Sequence, residues 1–329
     1  MIVANRPAAS ALARVTEAGA VAAARAMGHG DGKHADSLAV DAMRTALDQV
    51  GLAGRIVIGE GERDEAPMLF IGETVGPETG TPFDIAVDPL EGTNLVAGGL
   101  PNAVATMAIA ERGGLLNAPD TYMDKLIVGP PAAGRVSLDY SVRENLQIIA
   151  GTLRRGIADL TVVVLDRPRH ASLIEEIRTA GARIKLISDG DLTAAVSVAV
   201  AGTADHAVMG IGGAPEGVLA AAALRCLGGE IQGRFKPRDE ADRERLAAMG
   251  VSDAEERILR TEDLASGNQL AVAITGVTDG DLLRGVRFFG GGARTHSLVM
   301  DLPSSVIRFV DSIQILDRAN LGPVRLGPT

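Results

Sequence analysis

From about residue 156 onward, apolar runs of strand length alternate with helical patterns, and no other feature limits the fold as much. Leu160–Leu165 reads as a buried strand, followed by a helix through Leu173 and Ile177. Arg183–Ile187 is the next strand, then come a helix near 192–200, the strand His206–Met209 and a helix from Pro215. Strands separated by helices make βαβ units, which require a parallel sheet covered by helices. The first half reads differently. Leu12, Val15 and Val21 mark one helix, and Leu38, Met43, Leu47 and Val50 a second, stopped by Gly51 and Gly54. Short strands follow at Arg55–Ile58, Phe83–Val87, Val104–Ile109 and Lys125–Val128, and short strands return after Gly276. The chain is therefore α/β in one half and α+β in the other. A boundary near 156 divides it into 1–156 and 157–329. With no Trp and two Tyr among 329 residues, the core has to be built from Ala, Val, Ile and Leu.

The segment with the most chemical content is Asp88-Pro89-Leu90-Glu91-Gly92-Thr93. A strand delivers Asp88 to its C-terminal end, where sites in open α/β sheets lie. Glu91 adds a second carboxylate, and two hard-oxygen groups this close suit Mg²⁺ or Mn²⁺. Gly92 admits close backbone approach, and Thr93 offers an amide and a hydroxyl to a phosphate if a helix begins there. Spacing alone leaves a capped Asp-Pro turn equally open. Glu60, Glu62, Asp64 and Glu65 form a second acidic cluster, which is either a solvated loop or a cation site. Asp36, at the start of the second helix, reads by itself as a cap or dipole partner.

Gly210-Ile211-Gly212-Gly213-Ala214-Pro215-Glu216-Gly217 looks like a phosphate-binding glycine turn entering a helix. Glu230, twenty positions after Gly210, invites a dinucleotide reading and an NAD-dependent dehydrogenase, although the glycine spacing departs from G-x-G-x-x-G. Glu216 by default is a helix-dipole partner. Arg167-Pro168-Arg169-His170 holds two cationic forks apart with a rigid proline, suited to a phosphate. Asp189-Gly190-Asp191 suits sugar hydroxyls or a plain β-turn.

The balance of charge excludes some partners. A net charge of −10 with no basic run argues against nucleic acid, although metal ions would let an acidic protein bind phosphates. A single cysteine, Cys226 in an apolar stretch, precludes an internal disulfide and fits a cytoplasmic, reducing setting. No segment has the form of a signal peptide or of a membrane span, so no membrane partner is expected.

Taken in order, the motifs resemble the class II fructose-1,6-bisphosphatase family, within the wider lithium-sensitive phosphatases that include inositol monophosphatase. The resemblance rests on Gly30-Asp-x-x-x-Ala-Asp36, Val57-Ile-Gly-Glu60-Gly-Glu-x-Asp-Glu-Ala-Pro-Met68, the Asp88 segment and Tyr122-Met-x-Lys125. It continues through Arg167-Pro-Arg169, Asp189-Gly-Asp191 and Gly212-Gly-Ala-Pro-Glu216-Gly. It implies a layered α-β-α-β-α sandwich of two subdomains, the first binding metal and phosphate, the second completing the sugar site. It implies two or more Mn²⁺ or Mg²⁺ ions held by Asp36, Glu60, Asp88, Glu91 and Glu216. It gives Thr93, Glu60 and Asp88 catalytic roles. Glu91, Gly92 and Thr93 would contact the scissile phosphate. Tyr122, Arg167, Pro168, Arg169, Asp189, Gly190, Asp191 and Gly213 would hold the sugar and its other phosphate. The implied reaction converts fructose 1,6-bisphosphate to fructose 6-phosphate, in gluconeogenesis or the Calvin cycle. Sedoheptulose 1,7-bisphosphate is the alternative substrate, and a homodimer or homotetramer the expected assembly. One departure is visible: where the family places Lys directly after Gly-Asp, Gly32 follows Asp31 and the lysine is Lys33.

Overall fold

The computed structural model describes residues 9–60, 68–77, 82–248, 251 and 255–319. The two amphipathic patterns near the N-terminus form helices α1 (Ala9–Ala24) and α2 (Gly32–Val50). Asp31 caps α2, its carboxylate accepting the His34 amide, and Gly51 closes the helix in the left-handed conformation at φ 65°. Asp36 is thus not the cap. The helix begins ahead of its apolar stripe, which puts Asp36 inside the helix and frees its side chain for another partner.

The chain continues through β1 (Gly54–Ile58), β2 (Thr74–Val75), β3 (Phe83–Glu91), the short helix α3 (Thr93–Gly98), β4 (Val104–Glu111) and β5 (Tyr122–Val128). Helices and strands then alternate: α4 (Val142–Leu153), β6 (Thr161–Leu165), α5 (Ala171–Ala180), β7 (Arg183–Ile187), α6 (Asp191–Ser197), β8 (Ala207–Gly213) and α7 (Ala214–Leu227). After these come β9 (Glu230–Lys236), α8 (Glu240–Ala248), β10 (Leu259–Arg260) and α9 (Thr261–Leu264). The closing strands are β11 (Ala271–Gly276), β12 (Arg287–Phe289), β13 (Gly292–Asp301) and β14 (Val306–Ile315).

Two sheets result. The first is eight-stranded, in the order β12-β13-β11-β4-β3-β1-β2, with β14 also paired to β13. The second is six-stranded, in the order β10-β9-β5-β8-β6-β7. The parallel pairing expected from the strand-helix alternation holds for β7, β6 and β8. The sheet as a whole is mixed, because β5 enters antiparallel between β8 and β9. No crossover helix precedes β5, so nothing in the local pattern reveals where it pairs. Sheet membership also crosses residue 156: β5 lies before it in the second sheet, and β11–β14 lie after it in the first.

Three apolar clusters define the layers. Helices α1 and α2 cover one face of the first sheet, with Leu12, Val15, Met43 and Leu47 against Ile85, Met107 and Ala273. Helix α7 fills the space between the sheets, where its run Ala220–Ala223 is almost wholly buried beside Ala108, Ile274, Met123 and Ile231. Alanines there let both sheets close on one helix at the density of a packed interior. Helices α4 and α5 cover the outer face of the second sheet through Leu146, Ile149 and Ile177 on Val162 and Val164. The architecture is an α-β-α-β-α sandwich. Among the described residues no helix is long and apolar enough to cross a membrane.

Candidate active site

In a regular strand, residues three apart point to opposite faces, so Asp88 and Glu91 should diverge. Strand β3 corrects this with a bulge. Asp88 pairs with Thr106 and Glu91 with Val104, so three steps along β3 oppose two along β4. The extra residue restores the parity and returns both carboxylates to one side. Pro89, which has no amide to give the ladder, sits within this irregularity. The Asp88 carboxylate accepts the Leu90 amide at 3.1 Å. Gly92 then turns at φ 89° and α3 opens at Thr93, whose hydroxyl donates to the Leu90 carbonyl at 3.2 Å.

Three more carboxylates fold in from distant elements. Glu216 comes from the first turn of α7, Glu60 from the loop after β1, and Asp36 from within α2. Carboxylate oxygens of Asp88, Glu91 and Glu216 lie within 4.8 Å of one another. All five line one cleft of about 440 Å³, together with Lys33, Gly92, Thr93, Asn94, Asp120 and Asp189. The acidic partners Glu62, Asp64 and Glu65 lie outside the described residues.

Among the described residues this cluster is only partly compensated, by Lys125 and Lys33. Burial, then the charges of Glu216 and Asp191, pushes Glu91 up to about 8, against the Leu192 amide that its Oε1 accepts at 3.1 Å. Burial and the neighbouring Asp36 charge push Glu60 up to about 8 as well. Asp36 is raised by burial, partly offset by its hydrogen bond with Glu60. Asp88 rises well above the carboxylate range through burial and the charges of Glu91, Glu216 and Glu60. Glu216 is raised by burial although the Lys125 ammonium pulls the other way, and its buried Oε2 has no hydrogen-bond partner among the described residues. Buried carboxylates massed in this way need cations. The donor set is all hard oxygen, the chemistry that fits Mg²⁺ or Mn²⁺.

The expected sugar-site residues fall in two groups, of which only Asp189 lines this cleft, while Tyr122, Arg167, Pro168 and Arg169 lie outside its lining. Asp189, at the end of β7, lines the cleft and accepts from Asn94 at 3.0 Å. Gly190 turns at φ 78° ahead of α6. Asp191 points inward: it is buried and paired with the buried Lys125 ammonium at 2.5 Å, which also donates to the Gly213 carbonyl at 3.0 Å. The second group follows β6. Arg167, Pro168 and Arg169 form a short turn closed by His170, which bonds the Leu165 carbonyl and accepts the Ile211 amide. Arg169 donates twice to the Ile211 carbonyl and lies 4.7 Å over the Tyr122 ring.

The chain matches the family model described as bacterial fructose-1,6-bisphosphatase, glpX-encoded, over residues 6–314. The chain belongs to the class II fructose-1,6-bisphosphatase family. It is 54% identical over 327 residues to a protein of Synechococcus sp. (strain JA-3-3Ab) named D-fructose 1,6-bisphosphatase class 2/sedoheptulose 1,7-bisphosphatase, covering 92% of this chain and 94% of that one. A protein of the same name from Synechocystis sp. (strain ATCC 27184 / PCC 6803 / Kazusa) is 50% identical over 325 residues, with the same coverage of each chain. Among solved structures, the inositol monophosphatase from Anabaena (Nostoc) sp. PCC 7120 aligns at a TM-score of 0.31 and 13% identity, covering 58% of this chain and 69% of that one.

In this bisphosphatase, strand pairing recasts the glycine-rich segment. Gly210–Gly213 is not a turn but the end of β8, paired with Tyr122–Lys125 of β5. Its glycines make room. A β-carbon on Gly212 would stand 2.2 Å from Asp191 Oδ2, and one on Gly213 1.9 Å from Glu216 Oε2. The dehydrogenase reading fails on the same observations: no phosphate-binding turn exists there, and Glu230 is engaged by Gly134, Gln232 and Arg260. Sequence reasoning assigned no role to Lys125 or Asp120. Lys125 carried a signal, a lysine leading the apolar run Leu126–Val128, but its partner Asp191 is visible only in the fold.

Gly213→Ala is expected to leave the melting temperature within a few degrees of wild type, because the atom it meets ends a flexible side chain. Displacing Glu216 should weaken Mn²⁺ binding by roughly tenfold or more, as supporting-residue changes at metal sites do. Calorimetric titration checks this. Unchanged affinity would remove Glu216 from the cation site.

Proposed function

We propose that this class II bisphosphatase hydrolyses the 1-phosphate of fructose 1,6-bisphosphate, giving fructose 6-phosphate and inorganic phosphate, with two or more Mg²⁺ or Mn²⁺ ions held by Asp36, Glu60, Asp88, Glu91 and Glu216. The observation that carries the reading is the convergence of these five carboxylates, pushed upward in pKa, on one cleft beside Thr93. Divalent ions, when bound by these carboxylates, would neutralise the phosphate charge and lower the pKa of the attacking water. The hydroxyl of Thr93 commits its hydrogen to Leu90, so its lone pairs accept from that water and orient it for in-line attack. Glu60, whose pKa burial raises to about 8, would be ionised once cations displace the proton it shares with Asp36, and would then take the proton that the water releases. The start of α3 supports the phosphate: its first helical hydrogen bond is made by Leu95, leaving the Thr93 and Asn94 amides ahead of it. Asp189 supports sugar binding from the cleft wall, and Tyr122, Arg167 and Arg169 support binding of the second phosphate.

Relatives whose names carry both activities favour a second substrate, sedoheptulose 1,7-bisphosphate, on the same site. Support for a homodimer or homotetramer is the exposed apolar row Ile307, Phe309 and Ile315 on β14, which a second copy would cover. The single cysteine supports a cytoplasmic setting.

Phosphate release from fructose 1,6-bisphosphate, sedoheptulose 1,7-bisphosphate, fructose 1-phosphate and fructose 6-phosphate is the discriminating panel. The bisphosphates are expected to have kcat/KM at least about tenfold above either monophosphate, since they alone engage charged groups at both ends. Equal turnover of all four would overturn the substrate assignment.

A further inference from the structure

Tyr122 carries a second guanidinium that the motifs around it do not announce. Arg238, in the loop between β9 and α8, lies 5.6 Å from the ring centroid, on the ring that Arg169 also covers. We propose that Arg238 is a third arginine of the subsite for the substrate's second phosphate, an inference that rests on the bisphosphatase reading above.

Both arginines are held in the same way. Arg169 spends its Nε and Nη2 edge on the Ile211 carbonyl, at 3.2 and 2.8 Å. Arg238 spends the same edge on the Asp242 carboxylate, at 2.9 and 3.1 Å, and its Nη2 also donates to the Asp120 carbonyl. In each case Nη1 makes no hydrogen bond among the described residues; Arg238 Nη1 comes only within 3.7 Å of Asp120 Oδ2. Two planar forks, each pinned along one edge, therefore lie against one aromatic ring. Asp242 holds Arg238 by that one edge, and a phosphate is an acceptor suited to the N–H groups left on each fork.

Arg238 is built in rather than incidental. Asp242 is fully buried on α8 and also accepts the Thr121 hydroxyl at 2.7 Å and the Arg238 amide at 2.8 Å. The clamp thereby ties Arg238 to Asp120-Thr121-Tyr122 at the entry of β5. Asp120 lines the carboxylate cleft, and Tyr122 stands opposite Gly213, which abuts Glu216. Tyr122, which both arginines cover, thus pairs with the strand end that leads into Glu216. The Arg238 side chain remains 38% exposed, within reach of a ligand.

A purely structural staple between α8 and β5 would use the same clamp, so the test separates the two roles. Wild type, Arg238→Met and Arg238→Lys are compared on fructose 1,6-bisphosphate and on fructose 1-phosphate, which lacks the second phosphate. Arg238→Met is expected to raise KM for the bisphosphate roughly tenfold or more, the effect of a lost charged hydrogen bond. Its kcat should stay within about threefold, and the KM for fructose 1-phosphate within about twofold. Arg238→Lys should restore only part of the affinity, because an ammonium cannot reproduce the fork. An unchanged bisphosphate KM, or parallel losses on both substrates, overturns the inference. Should Arg238→Met not fold, Arg238→Lys decides by the same comparison. Wild type that releases phosphate from neither compound overturns the bisphosphatase reading itself, and this inference with it.

Discussion

Stripped of divalent ions, the protein is expected to melt at progressively lower temperature as the pH rises from about 6.5 to 8.5. Glu60 and Glu91 stand near 8 when folded and near 4.5 as free side chains, and Asp36, Asp88 and Glu216 are raised as well. A folded-state pKa above the unfolded one means that the native state holds more protons. Stability is then fully present below about pH 4.5 and is lost as pH climbs through 8. His206 and His296 are lowered instead, so they add stability as pH rises to about 6.5, which is why the test begins there. A cluster effect of several kcal/mol corresponds to a drop of roughly 5–10 °C, at about 2 °C per kcal/mol for a chain of this size. Mg²⁺ or Mn²⁺ should remove the slope, since ions take the place of the protons and bind more tightly as the ligands ionise. Calorimetry with and without EDTA measures both arms. A metal-free melting temperature that is flat or rises over this range would contradict the electrostatic account.

Asp88→Asn separates function from stability. The substitution keeps the shape and the acceptor for the Leu90 amide but deletes the charge at the centre of the cluster. Loss of several kcal/mol of transition-state charge stabilisation corresponds to a kcat decrease on the order of 10³-fold. The same change relieves repulsion from Glu91, Glu216 and Glu60, so the metal-free variant should melt above metal-free wild type at pH 8. Kinetics and calorimetry on one preparation read both. Turnover within a few-fold of wild type would remove Asp88 from the chemistry.

The site was partly legible before folding because its core is local. Asp88, Glu91, Gly92 and Thr93 sit within six residues at the end of an apolar strand, a position where open sheets expose side chains. The bulge that brings the two carboxylates to one side was not legible, since it depends on pairing with β4. Asp36 shows the limit of a single position: at a helix start a cap explains an aspartate, and only its contact with Glu60 shows otherwise. The Gly210–Gly213 run misled for a related reason. Glycine serves a turn and a close approach equally, and here Asp191 and Glu216 occupy the space that side chains would fill. Asp242 was silent, and the signal at Lys125 gave no role, because each takes its meaning from a partner brought in by the fold, Thr121 and Arg238 in one case and Asp191 in the other. The layers were legible through periodicity, whereas the place of β5 between β8 and β9 was not, since periodicity identifies strands without naming their neighbours.

The central claim is that five converging carboxylates hold the ions on which phosphate release depends. Its most direct test follows phosphate release from fructose 1,6-bisphosphate as EDTA is added and then titrated back with Mg²⁺ or Mn²⁺. The account predicts that release falls to background under EDTA and returns with either ion. Release that continues unchanged under excess EDTA would contradict it.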